Sequence, residues 1–322
     1  MIYLRLLPGL GGAETVPAQL QAQGGVGMSR VRSGSSRRWL ARALVVALSA
    51  AIVGLVAPAT AGARKPPQSY VALGDSYTAG PVIPVQQNDP AGCLRSDHNY
   101  PHLVASALGI SDFKDASCSG AETSDMTASQ GVTPGPNPPQ FDRLSATTEL
   151  VTVGIGGNDI GFSEIIRNCT ATQPSGHPCQ DHYVVNGHDE LRARIAATAP
   201  KVAAVLQGIH QRSPFARVYV VPYLSILPET GTGCWPQMPI APDDVPYLRG
   251  IEHELNGMLA RQARANGARY VDAFTPSVGH DACQLPISRW VEPAVPNQPA
   301  APVHPNLFGM QGYAAAVLAR IG

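Results

Sequence analysis

The sequence predicts an α/β fold built on a mostly parallel sheet covered by helices on both faces. Short Val-, Leu- and Ile-rich runs recur, most of them ended by Gly or Pro, as strands buried on both sides require. Stretches of helical periodicity alternate with them, which implies βαβ units. No internal repeat or second core breaks the alternation. The 322 residues are 44% apolar, enough for one large domain, and their 23 basic and 23 acidic residues cancel. Without a basic stripe, a nucleic-acid partner is not expected.

Tyr70-Val71-Ala72-Leu73, stopped by Gly74, is the first strand. Phe113 to Ser117 is a short stretch of the same kind, and Leu150 to Ile155 is a second clear strand. Leu191, Ile195, Val202, Val205, Leu206 and Ile209 mark a helix that Pro200 should kink or split. Arg217 to Val221 is a third strand, closed by Pro222. Leu248, Ile251, Leu255, Met258 and Leu259 repeat at helix spacing behind Asp243, Asp244 and Pro246, and Asn266-Gly267 ends that helix. Ala268 to Val271 is a weaker strand because Arg269 interrupts it, and Gly309 to Ile321 reads as a closing helix. Thr133 to Gln140 is a Pro/Gly connection inside the domain.

Residues 1–63 read as an export signal, and 64–322 as the functional domain. Arg30, Arg32, Arg37, Arg38 and Arg42 precede the uncharged run Leu44 to Val56, which leads into Ala57-Pro-Ala-Thr-Ala-Gly-Ala63. Basic, apolar and small-residue regions in that order make a secretory signal, and the apolar run is short of the ~20 residues that span a bilayer. Met28 leaves residues 1–27 as a possible over-extended start. Ser36-Arg37-Arg38-Trp39-Leu40 is similar to a twin-arginine signal, with Sec export the alternative. Cleavage after Ala63 removes six arginines and one glutamate, leaving a net charge of −5. The expectation is a secreted protein with no stable membrane anchor. All six cysteines (Cys93, Cys118, Cys169, Cys179, Cys234 and Cys283) lie beyond the signal, without a Cys-x-x-Cys pair. An even count in an exported chain argues for three disulfides, although six cysteines allow fifteen pairings.

The first strand runs into Gly74-Asp75-Ser76. A serine just past a parallel strand's C-terminal end stands where open α/β sheets bind ligands. The Gly-x-Ser-x-Gly elbow is half matched, since Thr78 replaces its second glycine, and a helix-capping serine is the plainer reading of Ser76 alone. Three segments add to it: Ser119-Gly120, Gly156-Gly157-Asn158-Asp159 and His304-Pro305-Asn306. The N–H groups of Ser76 and Gly120 and the Asn158 amide could make three donors to an oxyanion, with His304 as general base. Gly120 and Asn158 could equally be turn residues, and a dinucleotide loop starting at Gly154 fails at Asp159.

Together these four blocks resemble those of the SGNH hydrolases, the GDSL-type lipases and esterases, over nearly the whole chain after residue 63. The likeness is greatest to secreted bacterial members with three disulfides. The resemblance implies a three-layer α/β/α sandwich that hydrolyses carboxylic esters through an acyl-enzyme without a cofactor or metal. Ser76 matches the nucleophile, His304 the base, and Gly120 and Asn158, with Ser76 itself, the oxyanion donors. It also implies sequential disulfides, Cys93–Cys118, Cys169–Cys179 and Cys234–Cys283, each closing a modest loop. One position departs: the family's Asp three residues before the histidine is Ala301 here. The expectation is therefore a Ser76–His304 dyad oriented by a main-chain carbonyl from 301–302, with Asp281 and Glu292 as displaced-acid alternatives. The substrate is expected to be a small-molecule or lipid ester and the protein a monomer. A carbohydrate acetyl esterase is the alternative enzyme, and a binding protein without turnover the alternative outside enzymes.

Overall fold

A computed structural model describes residues 66–322; the export segment expected at 1–63 lies outside the described residues. Strand β1 (Ser69–Gly74) is buried at every position. It gives way to the one-turn helix α1 (Ser76–Ala79), and then, after a long loop, to α2 (Tyr100–Leu108). Sequence signals bound α2 that periodicity alone had not picked out: Asn99 caps it, Pro101 opens it and Gly109 ends it in the left-handed region. Strand β2 (Asp112–Asp115) is half exposed. Strand β3 (Leu150–Gly154) is wholly buried and is followed by α3 (Phe162–Cys169) and α4 (Pro178–Tyr183). A small hairpin, β4 (Val184–Val185) and β5 (His188–Asp189), leads into the long helix α5 (Glu190–Arg212). Strand β6 (Arg217–Val220), helix α6 (Val245–Ala265), strand β7 (Arg269–Tyr270) and helix α7 (Leu307–Ile321) complete the chain.

The five-stranded sheet has the order β2-β1-β3-β6-β7, and every pairing in it is parallel. From β1 the chain crosses one way to β2, and from β3 it crosses the other way to β6 and β7. Right-handed crossovers in opposite directions place α2 on one face and α5 and α6 on the other. Helix α7 packs on α2, and α5 packs on α6, completing three layers. The direction reverses between β1 and β3, so a crevice opens at their C-terminal ends.

Helix α5 is continuous through Pro200 rather than split. Pro200 and Ala196, whose carbonyl loses its N–H partner there, are both exposed, so water replaces the missing bond. The weak fourth strand exists but shrinks to two residues at the sheet edge. The three disulfides pair Cys93 with Cys118, Cys169 with Cys179 and Cys234 with Cys283.

Candidate active site

Both strands that flank the crevice end in glycine, and Gly74 and Gly154 stand opposite each other in the register. At Gly74 a Cβ would lie 2.3 Å from Thr78 Oγ1 and 2.8 Å from Gly154 O, so no larger residue fits the turn out of β1. The buried Gln140 side chain holds that turn by accepting from Gly74 N (2.8 Å) and donating to Gly74 O (2.9 Å). The Thr133–Gln140 connection thus ends on the strand that leads into Ser76. Asp75 caps α1, its Oδ1 accepting from Tyr77 N at 2.9 Å. Ser76 is the first residue of α1 and is 7% exposed.

His304 reaches Ser76 from the loop before α7. Its Nε2 stands 2.8 Å from Ser76 Oγ, and its Nδ1 stands 2.7 Å from Pro302 O. A carbonyl can only accept, so Nδ1 carries the proton and Nε2 is left to accept from the serine hydroxyl. Tyr77 fixes the loop by donating to Val303 O (2.8 Å), and its ring and that of Phe162 pack against the imidazole. Burial lowers the His304 pKa, while the Pro302 bond pulls it the other way. Asp281 and Glu292 are occupied elsewhere. Asp281 accepts from Cys283 N and Gln284 Nε2, and Glu292 pairs with Arg289 and accepts from Asn306 Nδ2 at 2.8 Å.

Gly120 and Asn158 arrive on loops tied to the same crevice. Cys118 N donates to Gly74 O (3.0 Å) and Ser119 N to Cys93 O (3.0 Å), so the Cys93–Cys118 disulfide staples the Gly120 loop beside β1. Asn158 Nδ2 donates to Ala121 O at 2.9 Å, which joins the two loops and leaves its second amide hydrogen free of that bond. Asp159 extends the join, accepting from Thr123 N (2.9 Å) and Thr123 Oγ1 (2.5 Å). Among the described residues, the N–H groups of Ser76 and Gly120 have no protein acceptor.

Residues that sequence reasoning passed over complete the site. Tyr223, just after β6, accepts from Gly157 N (2.7 Å) and donates to Asp75 Oδ2 (2.6 Å). Asn256 of α6 fixes the Tyr223 backbone through both its N–H and its carbonyl, at 3.0 Å each. Burial pushes the Asp75 carboxyl up to about 7, against the bonds from Tyr223 and Tyr77 that pull it down. Beside Gly157 and Tyr223 lies an apolar cavity lined by Ile160, Phe162, Ile165, Ile251 and Leu255, with Glu252 in its wall. Phe162 belongs both to that cavity and to the packing around His304. Periodicity had marked Ile251 and Leu255 as helix positions, but no local pattern marked Tyr223, Asn256 or Phe162.

A serine after β1, glycine and asparagine on the next two loops and a histidine before the last helix form one constellation. The GDSL-like Lipase/Acylhydrolase family matches residues 72–311. The chain belongs to that family. "Lipase 2" of Streptomyces coelicolor is 41% identical over 278 residues, covering 83% of this chain and 90% of the relative. "Lipase" of Streptomyces rimosus is 30% identical over 250 residues, covering 77% and 85%. Phospholipase A1 from Streptomyces albidoflavus superimposes with a TM-score of 0.67 at 25% identity, over 79% of this chain and 99% of that one. The extracellular lipase from Streptomyces rimosus gives 0.66 at 26% identity, over 78% and 99%. This GDSL-family protein is a carboxylic ester hydrolase of the lipase/esterase type, built on the SGNH three-layer fold.

Proposed function

We propose that this GDSL-family hydrolase is exported and cleaves acyl esters of lipids through an acyl-enzyme on Ser76. The observation that carries the reading is the chain of bonds from Ser76 Oγ to His304 Nε2 and from His304 Nδ1 to Pro302 O. Ser76 Oγ attacks the ester carbonyl carbon while its proton passes to His304 Nε2. The tetrahedral oxyanion takes hydrogen bonds from Ser76 N, Gly120 N and Asn158 Nδ2. His304 then gives the proton to the departing alkoxide. Water repeats the sequence on the acyl-serine, His304 removing its proton, and releases the free acid.

Pro302 O takes the place a carboxylate would have. It fixes the tautomer and ring orientation but adds less stabilisation to the imidazolium. The apolar cavity beside Gly157 and Phe162 suits an acyl chain, which favours a lipid ester over an acetylated sugar. Export rests on the charged, apolar and small-residue order of 30–63 and agrees with the three disulfides. The test is fluorophosphonate labelling with ester hydrolysis. Wild type should label and hydrolyse, and Ser76→Ala should do neither; labelling at another residue would overturn the assignment. N-terminal sequencing of protein from the culture medium checks export, with the mature chain expected to begin near residue 64.

A further inference from the structure

The loop that carries His304 has an unusual distribution of charge. Residues 284–308 contain only two charged side chains, Arg289 and Glu292. These are 5% and 0% exposed and pair at 2.9 Å inside the loop. Glu292 also accepts from Asn297 N (3.1 Å), and Gln298 Nε2 donates to Pro286 O. A buried ion pair and its hydrogen bonds therefore hold a loop without regular secondary structure in one shape. Its outer surface is apolar, with Leu285 69%, Ile287 84% and Val295 82% exposed.

A second segment continues this surface. Residues 76–88 contain no charged side chain, and Val82 and Val85 are 51% and 60% exposed. The two segments join where Ala301 N donates to Pro81 O at 3.1 Å. Leu307 and Phe308, in the first turn of α7, are also exposed and follow His304 directly. Charge resumes along the chain at the exposed Asp89, and beside Val85 at Asp97, whose backbone and side chain bond Val85. Scattered apolar side chains on a surface carry no meaning, but a concentration of them on the two segments that carry Ser76 and His304 does.

We propose that these loops form an uncharged docking rim by which the protein settles on a neutral lipid–water surface and draws its ester substrate from it. The inference rests on the reading of Ser76 and His304 given above. An exposed apolar surface gains by entering the headgroup and acyl boundary, and the lack of charge avoids the cost of carrying ions there. The same lack of charge offers an acidic or basic protein partner no complementary contact. The position of the rim on both sides of His304 makes docking and substrate entry one event.

Ile287→Asp and Val295→Asp, singly and together, test the rim because both side chains already face water. Phe215→Asp is the control. Phe215 is 84% exposed in the turn before β6, at the opposite end of the strands from Ser76. The readouts are sedimentation with phosphatidylcholine vesicles, hydrolysis of an emulsified triacylglycerol and hydrolysis of dissolved p-nitrophenyl acetate. The double variant should lose vesicle binding and at least tenfold activity on the emulsion, while staying within about twofold on the dissolved ester. Phe215→Asp should match wild type throughout. Unchanged vesicle binding in the double variant, or an equal loss in Phe215→Asp, overturns the rim. Concentration-dependent dimers abolished by the double variant, without vesicle binding by wild type, overturn it in favour of self-contact. Ser76→Ala should keep vesicle binding; if it also kept hydrolysis, the catalytic reading would fail while the rim stood.

Discussion

The Tyr223 hydroxyl lies 2.6 Å from Asp75 Oδ2, so the residue before Ser76 is bonded to a tyrosine 148 positions away. The same oxygen accepts from Gly157 N, next to Asn158. One phenol therefore sets the spacing between the serine turn and the asparagine loop. It also explains Gly157, where a Cβ would come within 2.8 Å of the Tyr223 hydroxyl oxygen.

Tyr223→Phe should strand Gly157 N and Asp75 Oδ2 in the interior. The expected cost is about 1–3 kcal/mol of stability, with a fall in kcat larger than any rise in KM. Urea melts and Michaelis–Menten kinetics check it. A rise in KM alone would mean that Tyr223 contacts substrate and does not position the donors.

Asn158→Ala should lower kcat by about a hundredfold or more with KM nearly unchanged, because in the proposed mechanism the missing donor acts on the oxyanion. Losing the bond to Ala121 O should add about 1 kcal/mol of destabilisation. Steady-state kinetics and a thermal melt separate the two effects.

His304→Ala should abolish turnover, whereas Asp281→Asn and Glu292→Gln should not act on the chemistry. Glu292 is fully buried with Arg289, and weakening that pair is expected to cost stability, of the order of 3–5 kcal/mol if the charge is left unpaired. Either carboxamide variant losing nearly as much kcat as His304→Ala, while still folded, would end the dyad assignment.

Two titrations should separate on the pH axis. In the proposed mechanism His304 acts as a base only when neutral, and burial lowers its pKa, so the acid limb of kcat/KM should fall below the ordinary imidazole value of about 6.5. Asp75 is shifted upward, to about 7. Its contribution to stability is full below the unfolded carboxyl pKa of about 3.9 and is lost as pH rises through about 7. Chemical melts from pH 4 to 8 should show that decline, and Asp75→Asn should flatten it.

Removing Cys234–Cys283, which closes 49 residues, should cost more than removing Cys169–Cys179, which closes 10. Loop-closure entropy gives about 4 against about 3 kcal/mol. Loss of Cys93–Cys118 should in addition lower kcat, since that bond staples the Gly120 loop. Calorimetry and kinetics on paired Cys→Ala variants compare the three.

The sequence by itself determined the strands, the major helices and the residues at their ends. Val71, Val151 and Val218 announce buried strands because burial on both faces demands a continuous apolar run. Gly74 and Ser76 were legible because turn chemistry and a strand's end are local. Elements shorter or less periodic escaped: α2 was bounded by Asn99 and Gly109 but lacked an apolar stripe long enough to stand out. Arg269 made β7 ambiguous because an edge strand is allowed a polar residue. Tertiary structure alone decided which of the carbonyls expected at 301–302 faces His304, that Gln140 clamps Gly74 and that Tyr223 joins Asp75 to Gly157. It also decided that Arg289 and Glu292 pair inside the His304 loop and leave its outer face uncharged. Each of these depends on chain packing that brings the partners within about 3 Å, and hydrogen bonding between side chains leaves no periodic trace in the sequence.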